Sequence, residues 1–102
     1  MNFGLDYDDT FTSAPDLWRS FIEQAENSGH KVYVVTCRRD TEANREEVIG
    51  EIDGCKRSVR VGLAPHRFLF TGLSAKRWFT EQKGIRIDVW IDDDPKCIEQ
   101  GK

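Results

Sequence analysis

The chain has 102 residues, 38% of them apolar and 32% charged, and carries a formal net charge of −3. That length holds a single domain, residues 1–102, which buries about two-thirds of the surface its unfolded chain exposes, and the acidic balance excludes a protein that coats nucleic acid. No apolar run approaches the ~20 residues of a membrane helix and no basic-then-apolar leader follows Met1, so a soluble, cytoplasmic protein with no membrane partner is expected.

Cys37, Cys55 and Cys97 are scattered, with no C-x-x-C spacing and only His30 and His66 to complete a zinc site, and they read as reduced thiols. The acids are unevenly placed. Asp6, Asp8 and Asp9 form one cluster and Asp92, Asp93 and Asp94 another, and the rest of the chain is net positive.

Asn2, Phe3, Gly4 and Leu5 alternate as a very short strand that runs into Asp6-Tyr7-Asp8-Asp9-Thr10. So short a first strand needs neighbours on both sides. Ser13 as N-cap, with Pro15 and Asp16 in the first turn, predicts a helix whose stripe is Leu17, Trp18, Phe21, Ile22 and Ala25 and whose stop is Gly29. Val32-Tyr33-Val34-Val35-Thr36 is an uninterrupted β run suited to the interior of a parallel sheet. A second helix is predicted over 41–52, with Val48, Ile49 and Ile52 as its apolar face and Gly54 after it.

Residues 55–67 fit either a strand or an ordered loop. Arg67–Thr71 reads as a strand, Gly72 as a turn, and Ser74 as the cap of a helix carrying Trp78 and Phe79 and stopped by Gly84. Ile85, Ile87, Val89 and Ile91 then alternate along a strand that ends at Asp92-Asp93-Asp94-Pro95. Strands and helices in strict alternation predict an α/β fold around a parallel sheet.

Ligands of open α/β sheets bind beyond the carboxyl ends of the strands. Here those ends carry Asp6 and Asp8, Thr36 with Arg38, Thr71, and Asp92 with Asp93. In an extended backbone Asp6 and Asp8 leave on the same side. Facing Asp92 or Asp93, they create like-charge pairs worth about 4 kcal/mol each at 4 Å and an effective dielectric of 20. A divalent cation relieves that repulsion, and hard oxygen donors without thiolate or imidazole favour Mg²⁺, commonly completed by a substrate phosphate.

An EF-hand loop starting at Asp6 fails at Phe11, where glycine is required, and at Leu17, where glutamate is required, and no P-loop sequence is present. Lys76 in the first turn of its helix opposes the helix dipole, which makes sense beside an anion. Thr36 can donate its hydroxyl to a phosphate oxygen, and Arg38 and Arg39 can clamp a second anionic group.

These residues, in this order, resemble the haloacid dehalogenase-like (HAD) superfamily of phosphatases and phosphotransferases. The resemblance runs through Asp6-Tyr7-Asp8-Asp9-Thr10 as D-x-D-x-T, Thr36 closing Val32–Val35, Lys76 on the following helix, and Asp92-Asp93 after Val89-Trp90-Ile91. It implies a three-layer αβα, Rossmann-like fold with a central, mostly parallel sheet. It also implies a nucleophilic Asp6, an acid–base Asp8, Mg²⁺ held by Asp6, the Asp8 carbonyl, Asp92 and Asp93, and phosphoryl oxygens held by Thr36 and Lys76. Thr10 belongs to the same substrate-binding loop.

Many members of that superfamily insert a cap domain after the first or second of these motifs. Only about 25 residues separate Thr10 from Thr36, and one helix fills them, so no cap domain is expected. An open site admits large substrates or is covered by a second copy of the chain. The phosphatase reading therefore covers phosphorylated small molecules, nucleotides, polynucleotide ends and phosphoproteins. The basic stretch Lys56, Arg57, Arg60, His66 and Arg67 fits a nucleic-acid contact and a solvated face alike. The alternative is a catalytically weak module that sequesters a phosphorylated ligand or protein. A receiver-type phosphoacceptor is disfavoured, because no Asp directly follows the 32–36 or 68–70 strand.

Overall fold

A computed structural model describes residues 1–54 and 61–101. Within them, β1 (Asn2–Leu5), α1 (Pro15–Asn27), β2 (Lys31–Thr36), α2 (Glu42–Asp53), β3 (Phe68–Phe70), α3 (Lys76–Gln82), β4 (Val89–Ile91) and α4 (Lys96–Glu99) follow one another, with single 3-10 turns at Phe11–Ser13 and Pro65–Arg67. The four strands form one all-parallel sheet in the order β3-β2-β1-β4. The short first strand is thus flanked on both sides. Phe3 pairs with Val32 and Val89, and Leu5 with Val34 and Ile91.

The period-two pattern of β2 splits the interior into two cores, giving three αβα layers. Val32 and Val34 join Leu5, Phe68 and Phe70 against Ile22 and Ala25 of α1 and Val48 and Ile52 of α2. Tyr33 and Val35 face the other way, with Leu69, Ile87 and Phe79 of α3. Only the 3-10 turn and α1 lie between Thr10 and β2, and no cap domain is present among the described residues. None of the described helices is long and apolar enough to cross a membrane.

Several local expectations are corrected. Ser13 is not the cap of α1, because Pro15 fixes the start of the helix and the Ser13 hydroxyl donates instead to the Thr10 carbonyl at 2.7 Å; Ala14 holds the cap position. Ser74 likewise gives way to Ala75 ahead of α3. The α1 stripe omits Leu17, which is 62% exposed, and includes Arg19, which is 2% exposed.

Arg19 lies over the Phe11 ring and donates from Nε at 3.2 Å and Nη2 at 2.5 Å to the Glu51 carbonyl, one of the last carbonyls of α2 and so without a partner in its own helix. The final strand is shorter than the alternation predicts. The strand spans only Val89–Ile91; ahead of it the Asp88 amide donates to the Asn2 carbonyl at 2.8 Å, the Asn2 side chain donates to the Arg86 carbonyl, and the Asp88 carboxylate accepts from the Asn2 amide.

The stops fall where glycine allows them. Gly29, at φ +86°, lets the His30 amide reach the Ala25 carbonyl at 2.9 Å and the Gly29 amide reach Glu26, closing α1 with a Schellman motif. α2 is capped by Thr41, whose hydroxyl accepts from the Asn44 amide at 3.1 Å. Of the open 55–67 segment, residues 55–60 lie outside the described residues and Leu63 is buried.

Gly4 is required by close approach. A Cβ there would lie 2.8 Å from Cε3 and 2.9 Å from Cζ3 of Trp90 on the neighbouring strand, and 3.0 Å from Ile87. Gly4→Ala is therefore expected to destabilise the fold by about 1–3 kcal/mol, the range for overpacking a core. A denaturant midpoint unchanged from wild type would contradict this packing.

Candidate functional site

Because β1 is central and β4 lies beside it, the residues leaving their carboxyl ends meet. One carboxylate oxygen from each of Asp6, Asp92 and Asp93 falls within 4.8 Å of the others. Asp6 is buried, Asp92 half-buried and Asp93 exposed, so the cluster opens to solvent on one side. They line a cavity of about 130 Å³ together with Asp8, Asp9, Asp94, Cys37, Cys97 and Lys76. Six aspartates thus line the cavity with one ammonium group. That volume is a few waters' worth, enough for a cation and a phosphoryl group while the rest of a larger ligand stays outside.

Lys76 explains its own position. As the first residue of α3 it opposes the helix dipole, yet it is 1% exposed and its Nζ donates to Asp6 Oδ1 at 2.8 Å and Asp92 Oδ2 at 2.5 Å. The chain's own carboxylates are the anions it meets. Burial alone pulls an ammonium down, but these two bonds outweigh it and hold Lys76 above its ordinary value. One of its three N–H groups is left for a further acceptor.

Asp6 feels the crowding most. Burial pushes it up to about 7, against the pull of Lys76, and the hydrogen bond with Asp93 and the charge of Asp92 push the same way. Asp93 is held below its ordinary value chiefly by the hydrogen bond from Asp6, with Thr10 helping. The Thr10 hydroxyl stands 3.1 Å from both Asp6 Oδ2 and Asp93 Oδ1 and accepts from the Asp93 amide at 3.1 Å. Its single proton serves one carboxylate at a time, so a second proton, on Asp6, completes the network without a cation.

Asp8 departs from the extended-backbone expectation. The chain turns after Asp6, with Asp9 left-handed at φ +65°, and Asp8 does not join the other three carboxylates. Its carboxylate instead accepts from Arg38 Nε and Nη2, each at 2.9 Å. The Asp8 carbonyl takes no hydrogen bond among the described residues. Thr36 is buried at the end of β2 and does not line the acidic cavity; its hydroxyl accepts from the Arg38 amide at 3.2 Å, leaving its proton to donate. Thr71 braces the same strand end, bonding the Thr36 carbonyl through its amide at 2.8 Å and its hydroxyl at 3.2 Å.

The three carboxylates Asp6, Asp92 and Asp93 offer only hard oxygens, a donor set that suits Mg²⁺. Cys37 and Cys97 also line the cavity, and Cys97 Sγ lies 3.2 Å from Asp94 Oδ2. Sequence reasoning missed these cysteines, and it missed Glu47, which pairs with Arg38 Nη1, and Tyr7, whose ring centroid lies 5.1 Å from the guanidinium carbon. The i, i+3 spacing of Asn44 and Glu47 was a usable signal for a polar face directed at Arg38.

A larger cleft, about 560 Å³, runs along α3 and the chain leading into β4 between Arg77, Glu81, Arg86, Asp88 and Trp90. Its two arginines are paired locally. Arg77 pairs with Glu99 at 2.6 Å and Arg86 with Asp88 at 3.4 Å, so the convergent chemistry lies in the smaller acidic cavity. Arg67, expected in a basic patch, donates to Glu26 at 2.9 Å and the Val32 carbonyl at 3.2 Å beneath Tyr33, while Lys56, Arg57 and Arg60 lie outside the described residues. No family model, no curated protein and no solved structure matches the chain.

Cation-free stability should depend on pH through Asp6. The folded state keeps its proton to about pH 7, whereas the unfolded chain releases it near 3.8, so stability is lost as pH rises between those values. In EDTA the Tm is expected to fall from about pH 5 to about pH 8, and Mg²⁺ to raise it more at the higher pH, because ligands bind deprotonated. Asp6→Asn should flatten both dependences. A Tm in EDTA that rises over this range, with no Mg²⁺ effect, would contradict the geometry.

Proposed function

We propose that the protein is a Mg²⁺-dependent phosphomonoesterase of the capless HAD type, acting through an aspartyl-phosphate. The observation that carries this reading is the Asp6–Lys76–Asp92 arrangement: a buried carboxylate held by an ammonium group, with a second carboxylate 2.5 Å from the same nitrogen. A bare carboxylate does not approach an anionic phosphate unless the charge between them is neutralised. Bound Mg²⁺ would supply that neutralisation by polarising the phosphoryl oxygens.

In the first step an Asp6 oxygen forms a bond to phosphorus as the bond to the leaving oxygen breaks, and Asp8 protonates that oxygen. Water then attacks phosphorus, Asp8 takes its proton, and the Asp6–phosphorus bond breaks to release inorganic phosphate. Lys76 fixes the Asp6 carboxylate and directs its remaining N–H at a phosphoryl oxygen, and the Thr36 hydroxyl donates to another. Thr10 ties Asp6 to Asp93 and orients both.

The substrates favoured are nucleotides or polynucleotide-end phosphates, since the cavity is small and uncapped and leaves the rest of the substrate outside. A cytoplasmic setting accords with the free thiol of Cys37.

Hydrolysis of p-nitrophenyl phosphate is expected with Mg²⁺ and not with EDTA. Asp6→Asn should lower kcat by a factor on the order of 10⁴ or more, and Lys76→Ala by roughly 10²–10³. Ligand bound by the wild type without release of inorganic phosphate would establish a binding module in place of an enzyme.

A further inference from the structure

The partners of the Arg38 guanidinium are unequal. On one edge Nη1 pairs with Glu47 and lies 3.4 Å from Asn44 Oδ1, both on α2, while the guanidinium carbon lies 5.1 Å from the Tyr7 ring centroid. These contacts hold Arg38 whether or not Asp8 is there. On the other edge Nε and Nη2 form a two-pronged bond to Asp8, whose side chain is half exposed and sits on a turn rather than a strand. Asp8 is the partner that can leave.

We propose that this pair is a latch read by the substrate: a second anionic group, outside the reacting phosphoryl, takes the Arg38 fork and releases the Asp8 carboxylate to the reacting centre. The inference rests on the phosphatase reading for what Asp8 then does. It narrows the substrate class to compounds carrying a phosphate ester and a second phosphate.

The charge balance of the site favours the exchange. Six aspartates line the cavity against a single lysine, and an incoming anion is repelled everywhere except near a bound cation, Lys76 and Arg38. A phosphate brings nearly twice the charge of a carboxylate and three strong acceptors, so it competes well for a guanidinium already aligned by Glu47, Asn44 and Tyr7. The cavity holds little beyond one phosphoryl group, and Asp8, at its lining, bridges it to Arg38. The second phosphate therefore docks at the mouth. A simple monophosphate, p-nitrophenyl phosphate included, lacks that group, so the Arg38–Asp8 pair must open unaided and turnover is slower.

The test is calorimetric titration of the wild type in excess Mg²⁺ with adenosine 3′,5′-bisphosphate, adenosine 5′-monophosphate and adenosine 3′-monophosphate in their phosphonate forms, in which a methylene group replaces each ester oxygen so that no ligand is consumed. The bisphosphate is expected to bind at least about tenfold more tightly than either monophosphate, and adding Arg38→Gln to bring the three within about twofold. Adding Asp8→Asn removes the competitor for the Arg38 fork and should tighten the bisphosphate by several-fold. This opposite sign separates a latch from a structural ion pair and decides the matter even if the Arg38 variant does not fold. Equal affinities in the parent, no measurable binding of any of the three, or weaker bisphosphate binding with Asp8→Asn would overturn the proposal. Phosphate release by the wild type is a separate readout, so failure of the phosphatase reading and failure of the latch are distinguishable.

Discussion

The site depends on a crowding of like charge that one buried cation only partly offsets. Asp6, Asp92 and Asp93 come together because β1 and β4 are hydrogen-bonded neighbours, and the backbone of Asp6 is itself bonded to the Ile91 carbonyl at 2.9 Å. Lys76 answers two of the three carboxylates, and a proton on Asp6 answers the rest. Such an arrangement is costly to stability and is kept in proteins where function uses it. Every other feature of the rim follows from it, including the buried ammonium at the start of α3 and the threonine hydroxyl between two carboxylates.

The fold serves this meeting point with few residues. Three- and four-residue strands suffice because β1 is paired on both edges and because Gly4 lets the Trp90 ring lie directly on the strand. Arg19 does for α1 and α2 what a longer core would do elsewhere, stacking on Phe11 and closing the end of α2. Phe11 in turn follows the acidic loop directly, so the packing of the helical layer and the placement of Asp6 share the same short segment.

Much of this was legible in the residues. The run Val32–Thr36 has no polar interruption and could only be an interior strand, and Gly29 and Gly54 marked the helix ends because left-handed backbone was needed there. The pairing of the two acidic segments followed from their positions after apolar strands. What was hidden depended on tertiary contacts. The alternation from Ile85 to Ile91 reports which way side chains face, and Ile87 is buried as it implies, but it does not report where the strand starts, which is set by the Asp88 amide bonding the Asn2 carbonyl and by the side chains of Asn2 and Asp88 ahead of Val89. Arg19 and Lys76 are long charged side chains whose burial is decided by acceptors distant in sequence. The direction of Asp8 turned on a single left-handed residue, Asp9, and on a partner thirty positions away.

The central claim is that the two acidic segments share one divalent cation beside Lys76, and Mn²⁺ titration followed by electron paramagnetic resonance tests it most directly. The account predicts one Mn²⁺ per chain, displaced by Mg²⁺, with affinity lost in Asp6→Asn and in Asp92→Asn alike. Binding that survives both substitutions, or that is lost in only one of them, would contradict it.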